Sequence, residues 1–292
     1  MPKAIAILGP TASGKSAVAE AVASELDCKI LNADAFQMYR GLDVGTNKPA
    51  NRARYEMLDV LDPAEANTVG KFLRRARGIC EQLFAESRDV VVCGGTGLYV
   101  RALFEDYEVS RAPDAALRDE IAKMISAVGG EQVLARFGIA LNVVSAQTLS
   151  NPRHLARFIE RSQMDREKPP EQQWHTERHK FAIEIPKTEL DGRIEARTQA
   201  MIAQGWVEEV SVLLGSGYSE DSPAFKAIGY GELAQVVRGN LTLEEARERI
   251  IVRTRQYAKR QITWLRREPN CRRLEWCEDP AVMAKQVLDA IA

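Results

Sequence analysis

Gly9-Pro10-Thr11-Ala12-Ser13-Gly14-Lys15-Ser16 is the stretch of sequence that decides the fold. It follows an apolar run over residues 4–8, which is typical of a buried parallel strand, and it leads into a segment with helical spacing of apolar residues. The spacing Gly-x4-Gly-Lys-Ser lets backbone N–H groups point at an anion, and it adds an ammonium group and a hydroxyl that can hold Mg²⁺. We therefore predict a phosphate loop, residues 9–16, because a turn that only connects strand to helix would not need Lys15 or Ser16. The spacing does not identify the phosphate compound.

Two further polar segments follow predicted strands. Residues 29–32 predict a short strand that ends near Asp34, and the apolar residues 89–93 predict a strand that ends at Gly94-Gly95-Thr96-Gly97-Leu98-Tyr99. In a doubly wound sheet, ligands bind at the carboxyl ends of the strands. Asp34 and Thr96 are therefore candidate site residues, although Asp34 could instead cap a turn and the glycines could form a bare tight turn. We interpret residues 35–46 as a substrate loop, since they are rich in side chains that can hydrogen-bond or stack.

The remaining pattern predicts the fold class and two domains. Strands are predicted at 57–61, 180–185 and 273–276, and helices at 69–86, 114–128, 130–137, 152–164, 188–204, 206–214 and 242–267, with a last helix ending at Ile291. The alternation of strands and helices stops near residue 105. We predict an α/β protein with a P-loop NTPase-like parallel sheet flanked by helices, formed by residues 1–104 and 181–292. Residues 105–180 are predicted to form a mostly helical insertion domain.

Composition limits the class of protein. The chain has 292 residues, of which 45% are apolar and 28% charged, as in ordinary globular proteins. Its apolar start is too short for a signal peptide, and it has no apolar run of about 18 residues that could span a membrane. Its five cysteines are scattered without paired spacing, so we expect reduced thiols and no metal ribbon. These features predict a cytoplasmic protein without a membrane partner.

The helical segment 242–267 carries a basic stripe. At about 100° per residue, one narrow sector of this helix contains Arg249, Arg253, Gln256, Arg260 and Arg267. Between residues 247 and 273 there are ten Lys or Arg against two Glu. A solvated helix normally mixes both signs, so the excess of positive charge favours a surface that binds nucleic-acid phosphates.

Several motifs together resemble the tRNA dimethylallyltransferase family. They span nearly the whole chain and comprise the phosphate loop, residues 34–49, residues 94–99, Arg193-Ile194-Glu195-Ala196-Arg197 with Gly205 and Glu208-Glu209-Val210, Ala227-Ile228-Gly229-Tyr230, and residues 254–264. The segment 254–264 is the most specific of them, because a generic phosphate-loop kinase has no reason to carry it. The sequence departs from the family pattern at Ala35, at Met57 within residues 55–59, and at His154.

The resemblance implies an activity and a set of site residues. It implies transfer of a dimethylallyl group from dimethylallyl diphosphate to the exocyclic N6 amine of the adenosine 3′ to the anticodon in tRNA, with Mg²⁺ as cofactor. The sequence leaves the oligomeric state open, and we expect a monomer. The implied catalytic residues are Asp34 as general base, Thr96 and Arg197. The diphosphate would contact Gly9, Thr11, Ala12, Ser13, Gly14, Lys15 and Ser16, with Ser16 near Mg²⁺. The tRNA would contact Asp34, Ala35, Phe36, Gln37, Thr96, Arg118, Arg153, His154, Leu155, Ala156, Arg157, Arg253, Arg255, Lys259, Arg260 and Gln261.

Three other functions remain open at this point. A nucleotide kinase explains the first hundred residues equally well, but it leaves the basic stripe unexplained and would need an acidic residue at the end of strand 89–93. A prenyltransferase that acts on free adenylate shares the donor site and needs no tRNA-binding helix. A non-catalytic RNA-binding protein with a metabolite-sensing loop predicts binding without turnover.

Overall fold

A six-stranded, all-parallel sheet forms the centre of the protein in a computed structural model that describes residues 1–105, 115–163, 174 and 176–292. The strand order is β3-β2-β4-β1-β5-β6. The strands are β1 (Lys3–Leu8), β2 (Lys29–Asn32), β3 (Tyr55–Glu56), β4 (Val90–Cys93), β5 (Glu177–Glu184) and β6 (Cys271–Glu275). The parallel sheet with flanking helices confirms the predicted α/β class.

Helices account for most of the remaining chain. They are α1 (Lys15–Glu25), α2 (Val69–Ala85), α3 (Gly97–Phe104), α4 (Ala115–Val128), α5 (Gly130–Arg136), α6 (Ala146–Leu149), α7 (Pro152–Ser162), α8 (Lys187–Ala203), α9 (Trp206–Gly215), α10 (Tyr230–Val237), α11 (Leu243–Leu265) and α12 (Pro280–Ile291). Two 3₁₀ turns lie at Leu141–Val143 and Pro223–Lys226. None of the helices within the described ranges is long and apolar enough to cross a membrane.

The core explains why the central strands are continuous apolar runs. Ile5 and Ile7 of β1, Val91 of β4 and Phe181 of β5 are buried in one cluster with α1 and α12. Parallel strands covered by helices on both faces require apolar residues at nearly every position.

Register brings the polar loops to one edge of the sheet. Ile7 of β1 is paired with Cys93 of β4, and Asn32 of β2 is also paired with Cys93. The three strands therefore end together, and the phosphate loop, Asp34 and Thr96 follow their carboxyl ends. The expectation of a common edge is confirmed.

The strand predicted at 57–61 is wrong. The edge strand is Tyr55–Glu56, and Met57 and Asp59 have φ values of 70° and 56°. A positive φ is incompatible with an extended strand, so the pairing stops at Met57. Leu61 makes only an isolated bridge to Tyr39.

The chain divides into two compact units. The first comprises Met1–Glu105 and Gln173–Ala292, and the second comprises Asp106–Gln172. The predicted boundary at 180 is too late, because β5 begins at Glu177 and pairs with β1 from Lys3 onward. The described part of the second unit is helical, and its core contains Ile121, Leu134, Leu155 and Ile159.

Candidate active site

The phosphate loop has a conformation that leaves its centre open to an anion. Gly14 has a φ of 90° and Ala12 a φ of 64°, and the Ser13 N–H donates to the Pro10 carbonyl at 3.2 Å. Lys15 begins α1, and its Nζ donates to the Pro10 carbonyl at 3.3 Å. Burial lowers the pKa of Lys15, while Cys93 and Asp34 oppose that shift. The ammonium group therefore sits in a site where an anionic ligand would replace lost hydration.

Helix α8 holds two arginines against this loop. Arg193 donates from Nε to the Ala12 carbonyl at 2.8 Å, and Arg197 donates to the Thr11 hydroxyl at 3.2 Å. Residues four apart on a helix lie on the same face, so both guanidinium groups reach the loop from one side. Burial lowers the pKa of Arg197, and Asp34 opposes the shift. The motif from Arg193 to Arg197 thus supplies two cations to one phosphate site.

Asp34 and Thr96 lie together after β2 and β4. Asp34 Oδ1 accepts the Phe36 N–H at 2.9 Å, and Thr96 Oγ1 accepts the Ala35 N–H at 3.2 Å. Asp34 therefore does cap a turn, as the simpler interpretation held. Within the described residues its other oxygen, Oδ2, has no hydrogen-bond partner, so one carboxylate oxygen remains available to a substrate.

Helix α11 closes the site through buried side chains. Gln261 accepts the Thr11 N–H at 2.8 Å with Oε1 and donates to the Gly95 carbonyl at 2.9 Å with Nε2. It is only 8% exposed. Both ends of its amide join the phosphate loop to the loop after β4, and its contact with tRNA stays a prediction.

Three adjoining cavities meet at Arg197. A cavity of about 400 Å³ lies over Lys15, Ser16 and Arg193, and a cavity of about 40 Å³ lies between Lys15, Ser16 and Asp34. The third is a chamber of about 280 Å³ that Asp34 and Thr11 also line. Its apolar wall is formed by Ile194, Met201, Trp206, Ala227, Ile228 and Ile250. The phosphate loop thus opens onto an apolar chamber beside a carboxylate.

The residues around Ser16 fit a magnesium ion. Ser16 and Asp34 line the same small cavity and offer a hydroxyl and a carboxylate oxygen, the ligand type that Mg²⁺ prefers together with phosphate oxygens and water. Cys93 lies nearby, but burial raises its pKa to about 11, so the thiol stays protonated near neutral pH. In the described ranges no cluster of three or more His, Cys, Asp or Glu could hold a metal without such a substrate.

Comparison with known proteins identifies the family. The model of the IPP transferase family matches residues 37–268, and that of isopentenyl transferases matches residues 2–57. A tRNA dimethylallyltransferase of Pseudarthrobacter chlorophenolicus is 36% identical, with 97% of this chain and 97% of that protein covered. The chain belongs to the IPP transferase family.

Two more relatives agree along the full length. A tRNA dimethylallyltransferase of Geotalea uraniireducens is 33% identical over 99% of this chain and 97% of its own. The crystal structure of the tRNA isopentenylpyrophosphate transferase of Bacillus halodurans is 25% identical, has a TM-score of 0.74, and is matched over 100% of this chain and 96% of its own. This IPP transferase therefore has the same fold as a relative whose crystal structure is known.

The substrate loop of the IPP transferase is fixed by ion pairs. Lys48 has a fully buried side chain whose Nζ bonds Asp43 at 2.8 Å and Asp59 at 2.5 Å. Gln37 donates to the carbonyls of Thr46 and Asn47 at 3.0 and 3.2 Å. Gln37 also lines the small cavity with Asp34. Because its NH₂ group is already bonded to the loop, its amide oxygen is the group that can make the predicted contact with the nucleotide.

The basic side chains of α11 are partly ion-paired, at Arg253 within the stripe and at Arg255 outside it, which differs from the prediction. Arg253 is paired with Glu232, and Arg255 is paired with Glu195. Lys259 and Arg260 are exposed, and the Arg260 guanidinium lies 5.7 Å from the Tyr257 ring centre. The negative partners are Glu195 on α8 and Glu232 on α10. The sequence of α11 alone does not show that these helices pack beside it.

Some of the residues predicted to contact tRNA are exposed on the surface of the second unit. Arg153, His154 and Arg157 are exposed on α7, and Arg118 of α4 is half-buried. Leu155 and Ala156 are 0% and 1% exposed in the core of this unit. Helical periodicity turns their side chains away from the surface that Arg153 and Arg157 share, and the contact of the segment 153–157 with tRNA stays a prediction.

Sequence reasoning missed one acidic residue of the site. Glu209 on α9 accepts the N–H groups of Asp43 and Val44, each at 2.7 Å, and of Gly45 at 3.1 Å. Its only signal in the sequence is its place in the Glu208-Glu209-Val210 motif, and that motif by itself indicates no role for it.

Proposed function

We propose that this protein transfers a dimethylallyl group from dimethylallyl diphosphate to the exocyclic N6 amine of the adenosine 3′ to the anticodon in tRNA, releasing diphosphate. One observation carries the proposal: the phosphate loop opens onto an apolar chamber that Asp34 also lines. A diphosphate ester of a short hydrocarbon matches this combination of cations and apolar wall. A nucleoside triphosphate would instead need polar groups to hold its ribose.

The positive groups around the loop serve the leaving group. As the C1–O bond of the donor breaks, negative charge develops on the diphosphate. Lys15, Arg197 and the N–H groups of the loop lie where that charge would form. Preorganised donors of this kind stabilise a transition state because they need no reorganisation as the charge develops.

Asp34 serves the acceptor. The N6 amine of adenine is a weak nucleophile, since its lone pair is delocalised into the ring. As the N6–C1 bond forms, the amine loses a proton, and the free Oδ2 of Asp34 accepts it. Thr96, whose hydroxyl oxygen is bound to the Ala35 N–H, can donate its own proton to the same nucleotide. A positioned base contributes about 10²–10⁴-fold in rate.

Mg²⁺ belongs to the same proposal. When bound, it would neutralise part of the diphosphate charge. Ser16, which lines the small cavity with Lys15, would hold it with its hydroxyl. With tRNA as the substrate we expect the protein in the cytoplasm, and a monomer remains our expectation.

The exposed cations support RNA over free nucleotide as acceptor. Lys226, Arg253 and Arg260 line the outer part of the apolar chamber, and Arg153 and Arg157 are exposed on the helical unit. To reach Asp34, the adenine must leave its stack, as bases do in enzymes that modify them. Against a kinase, β4 ends in Cys93 and lacks the acidic residue that would hold Mg²⁺ beside ATP.

A product assay tests the proposal. Labelled dimethylallyl diphosphate is offered with an anticodon stem-loop RNA or with AMP, and labelled ATP is offered in parallel. We expect prenylated RNA from the first mixture and no transfer of phosphate from ATP. Prenylation of AMP in preference to RNA, or phosphate transfer, would overturn the proposal.

Asp34→Asn separates the general base from the turn cap. Asparagine keeps an Oδ1 acceptor for the Phe36 N–H but cannot take a proton, so transfer should fall about 10²–10⁴-fold. RNA affinity, measured by filter binding, should change by less than about twofold. A parallel loss of affinity and turnover would show that Asp34 acts only through the structure of the turn.

A further inference from the structure

Glu209 makes an unusual set of contacts beside the cavities. Its Oε2 accepts the N–H groups of Asp43 and Val44, each at 2.7 Å. Its Oε1 accepts the Gly45 N–H at 3.1 Å and the Tyr230 hydroxyl at 2.6 Å. Four donors from the substrate loop and α10 thus converge on one carboxylate at the start of α9.

Both oxygens of the Glu209 side chain are used in this arrangement. A carboxylate accepts at both oxygens and donates nothing, whereas a glutamine amide would turn an NH₂ group toward donors at one end. The first turn of a helix also favours negative charge. The position therefore favours an acidic residue, whereas a turn cap alone would need only one acceptor.

The clamped backbone is packed too closely to move without cost. A Cβ atom on Gly45 would lie 2.0 Å from Trp206 Nε1 and 2.6 Å from the Tyr230 hydroxyl. Trp206 and Tyr230 are 2% and 0% exposed. The loop backbone therefore rests directly on two buried aromatic residues while Glu209 holds its N–H groups.

The clamped residues 43–45 lead directly into the part of the loop that lines the cavities. Gly45 and Thr46 line the apolar chamber together with Asp34, and Thr46 and Asn47 line the small cavity next to Ser16. Asn47 also lines the cavity over Lys15. Displacement of residues 43–45 would shift this wall relative to Asp34 and the phosphate loop.

We infer that Glu209 is a positioning residue: with Tyr230 it fixes residues 43–45, and through them it sets the wall against which donor and acceptor are aligned. The inference rests on the proposed transfer reaction for its kinetic consequence only. Its structural part, the clamp on three N–H groups, stands without it.

Glu209→Gln tests the clamp against Glu208→Gln, the matched control. Glu208 is the exposed neighbour in the same helical turn. Amide hydrogen exchange at residues 43–45 should quicken about tenfold or more in Glu209→Gln, because each N–H loses a charged acceptor, and should be unchanged in Glu208→Gln. Tyr230→Phe, which removes one donor and keeps the ring, should quicken it less. Exchange in Glu209→Gln equal to wild type would overturn the clamp.

Kinetics separate positioning from general stability. With saturating substrates, kcat for RNA prenylation should fall about tenfold or more in Glu209→Gln. The Kd of inorganic diphosphate, measured by calorimetry, should stay within about twofold, since the hydrogen bonds of Glu209 go to residues 43–45 and Tyr230 and not to the phosphate loop. If kcat and diphosphate affinity fall together, the residue is merely structural. If the wild-type protein makes no prenylated RNA, the proposed function fails while hydrogen exchange still decides the clamp.

Discussion

Lys15 is a residue of the phosphate loop whose charge depends on its burial. Burial lowers its pKa from 10.5, so its ammonium group loses a proton at lower pH than an exposed lysine does. The positive charge is present below the lowered pKa and disappears as the pH rises through it. Burial raises the pKa of Cys93 to about 11, so its thiol stays neutral at pH values well below 11.

Diphosphate affinity should report this titration. We expect the affinity for inorganic diphosphate to fall as the pH rises, and to do so at lower pH than the titration of an ordinary lysine would require. Lys15→Arg should flatten the profile, because a guanidinium group stays charged there. Lys285→Arg, on the exposed side of α12, is the control. Calorimetry across the pH series is the measurement, and identical profiles for wild type and Lys15→Arg would contradict the assignment.

At the scale of elements, α11 joins the two loops of the site. Gln261 bridges them, and Trp264 packs so closely on Gly97 at the start of α3 that an added Cβ would lie 2.4 Å from the indole ring. The close packing of Gly97 on Trp264 gives a structural reason why the glycines after β4 accompany the segment 254–264. Glycine at 97 is needed for close approach, not for a special φ.

Gly97→Ala should therefore destabilise the protein. Overpacking against a rigid ring costs about 1–3 kcal/mol in the free energy of unfolding. Gly78→Ala, in the middle of α2 where nothing lies within 4 Å of the added carbon, should instead stabilise by about 0.5–1 kcal/mol. Urea denaturation of both variants measures the difference. Equal stability of the two would show that α3 shifts away from Trp264 freely.

The basic side chains of α11 also divide into ion-paired and unpaired cations. Replacing Lys259 and Arg260 with alanine should weaken RNA binding and reduce the slope of log K against log salt by about 0.7–0.9 per lost phosphate contact. Arg255→Ala should reduce that slope less, because Glu195 already neutralises Arg255. Binding titrations over a salt series test this. A larger effect from Arg255→Ala would mean that RNA displaces Glu195.

These elements show what a sequence can and cannot predict. Strand ends and the phosphate loop are local patterns, so the order of residues along the chain is enough to place Lys15, Asp34 and Thr96 at one edge of the sheet. The bridge made by Gln261 and the clamp made by Glu209 depend on residues more than 160 positions away, and nothing in a polar residue's own neighbourhood tells whether it is buried. The turn at Met57 escapes prediction because its positive φ carries no glycine signal.

At the scale of the whole molecule, a buried ion network joins distant parts of the first unit. Glu268 is fully buried at its side chain and accepts from Arg101 at 2.6 Å and from Lys180 at 2.7 Å. Lys180 also bonds Glu105 at 3.0 Å. Glu105 is the last residue of the first unit before the insertion, and Lys180 lies on the strand that follows it. The network thus ties Glu105, where the chain leaves this unit, to β5, which follows its return at Gln173.

Glu268→Gln should test how much this network stabilises the protein. The variant keeps the volume but leaves Arg101 and Lys180 without their shared negative partner, and breaking a buried pair in this way costs about 3–5 kcal/mol. Because Lys180 retains Glu105, we expect the lower end of that range. Glu278→Gln, at an exposed position, should change the free energy of unfolding by less than about 0.5 kcal/mol. Arg101 also lies 5.0 Å from the Trp264 ring centre, so loss of Glu268 should loosen the Trp264–Gly97 contact next to Thr96. A chemical denaturation curve for Glu268→Gln that matches that of Glu278→Gln would show that the network contributes no net stability.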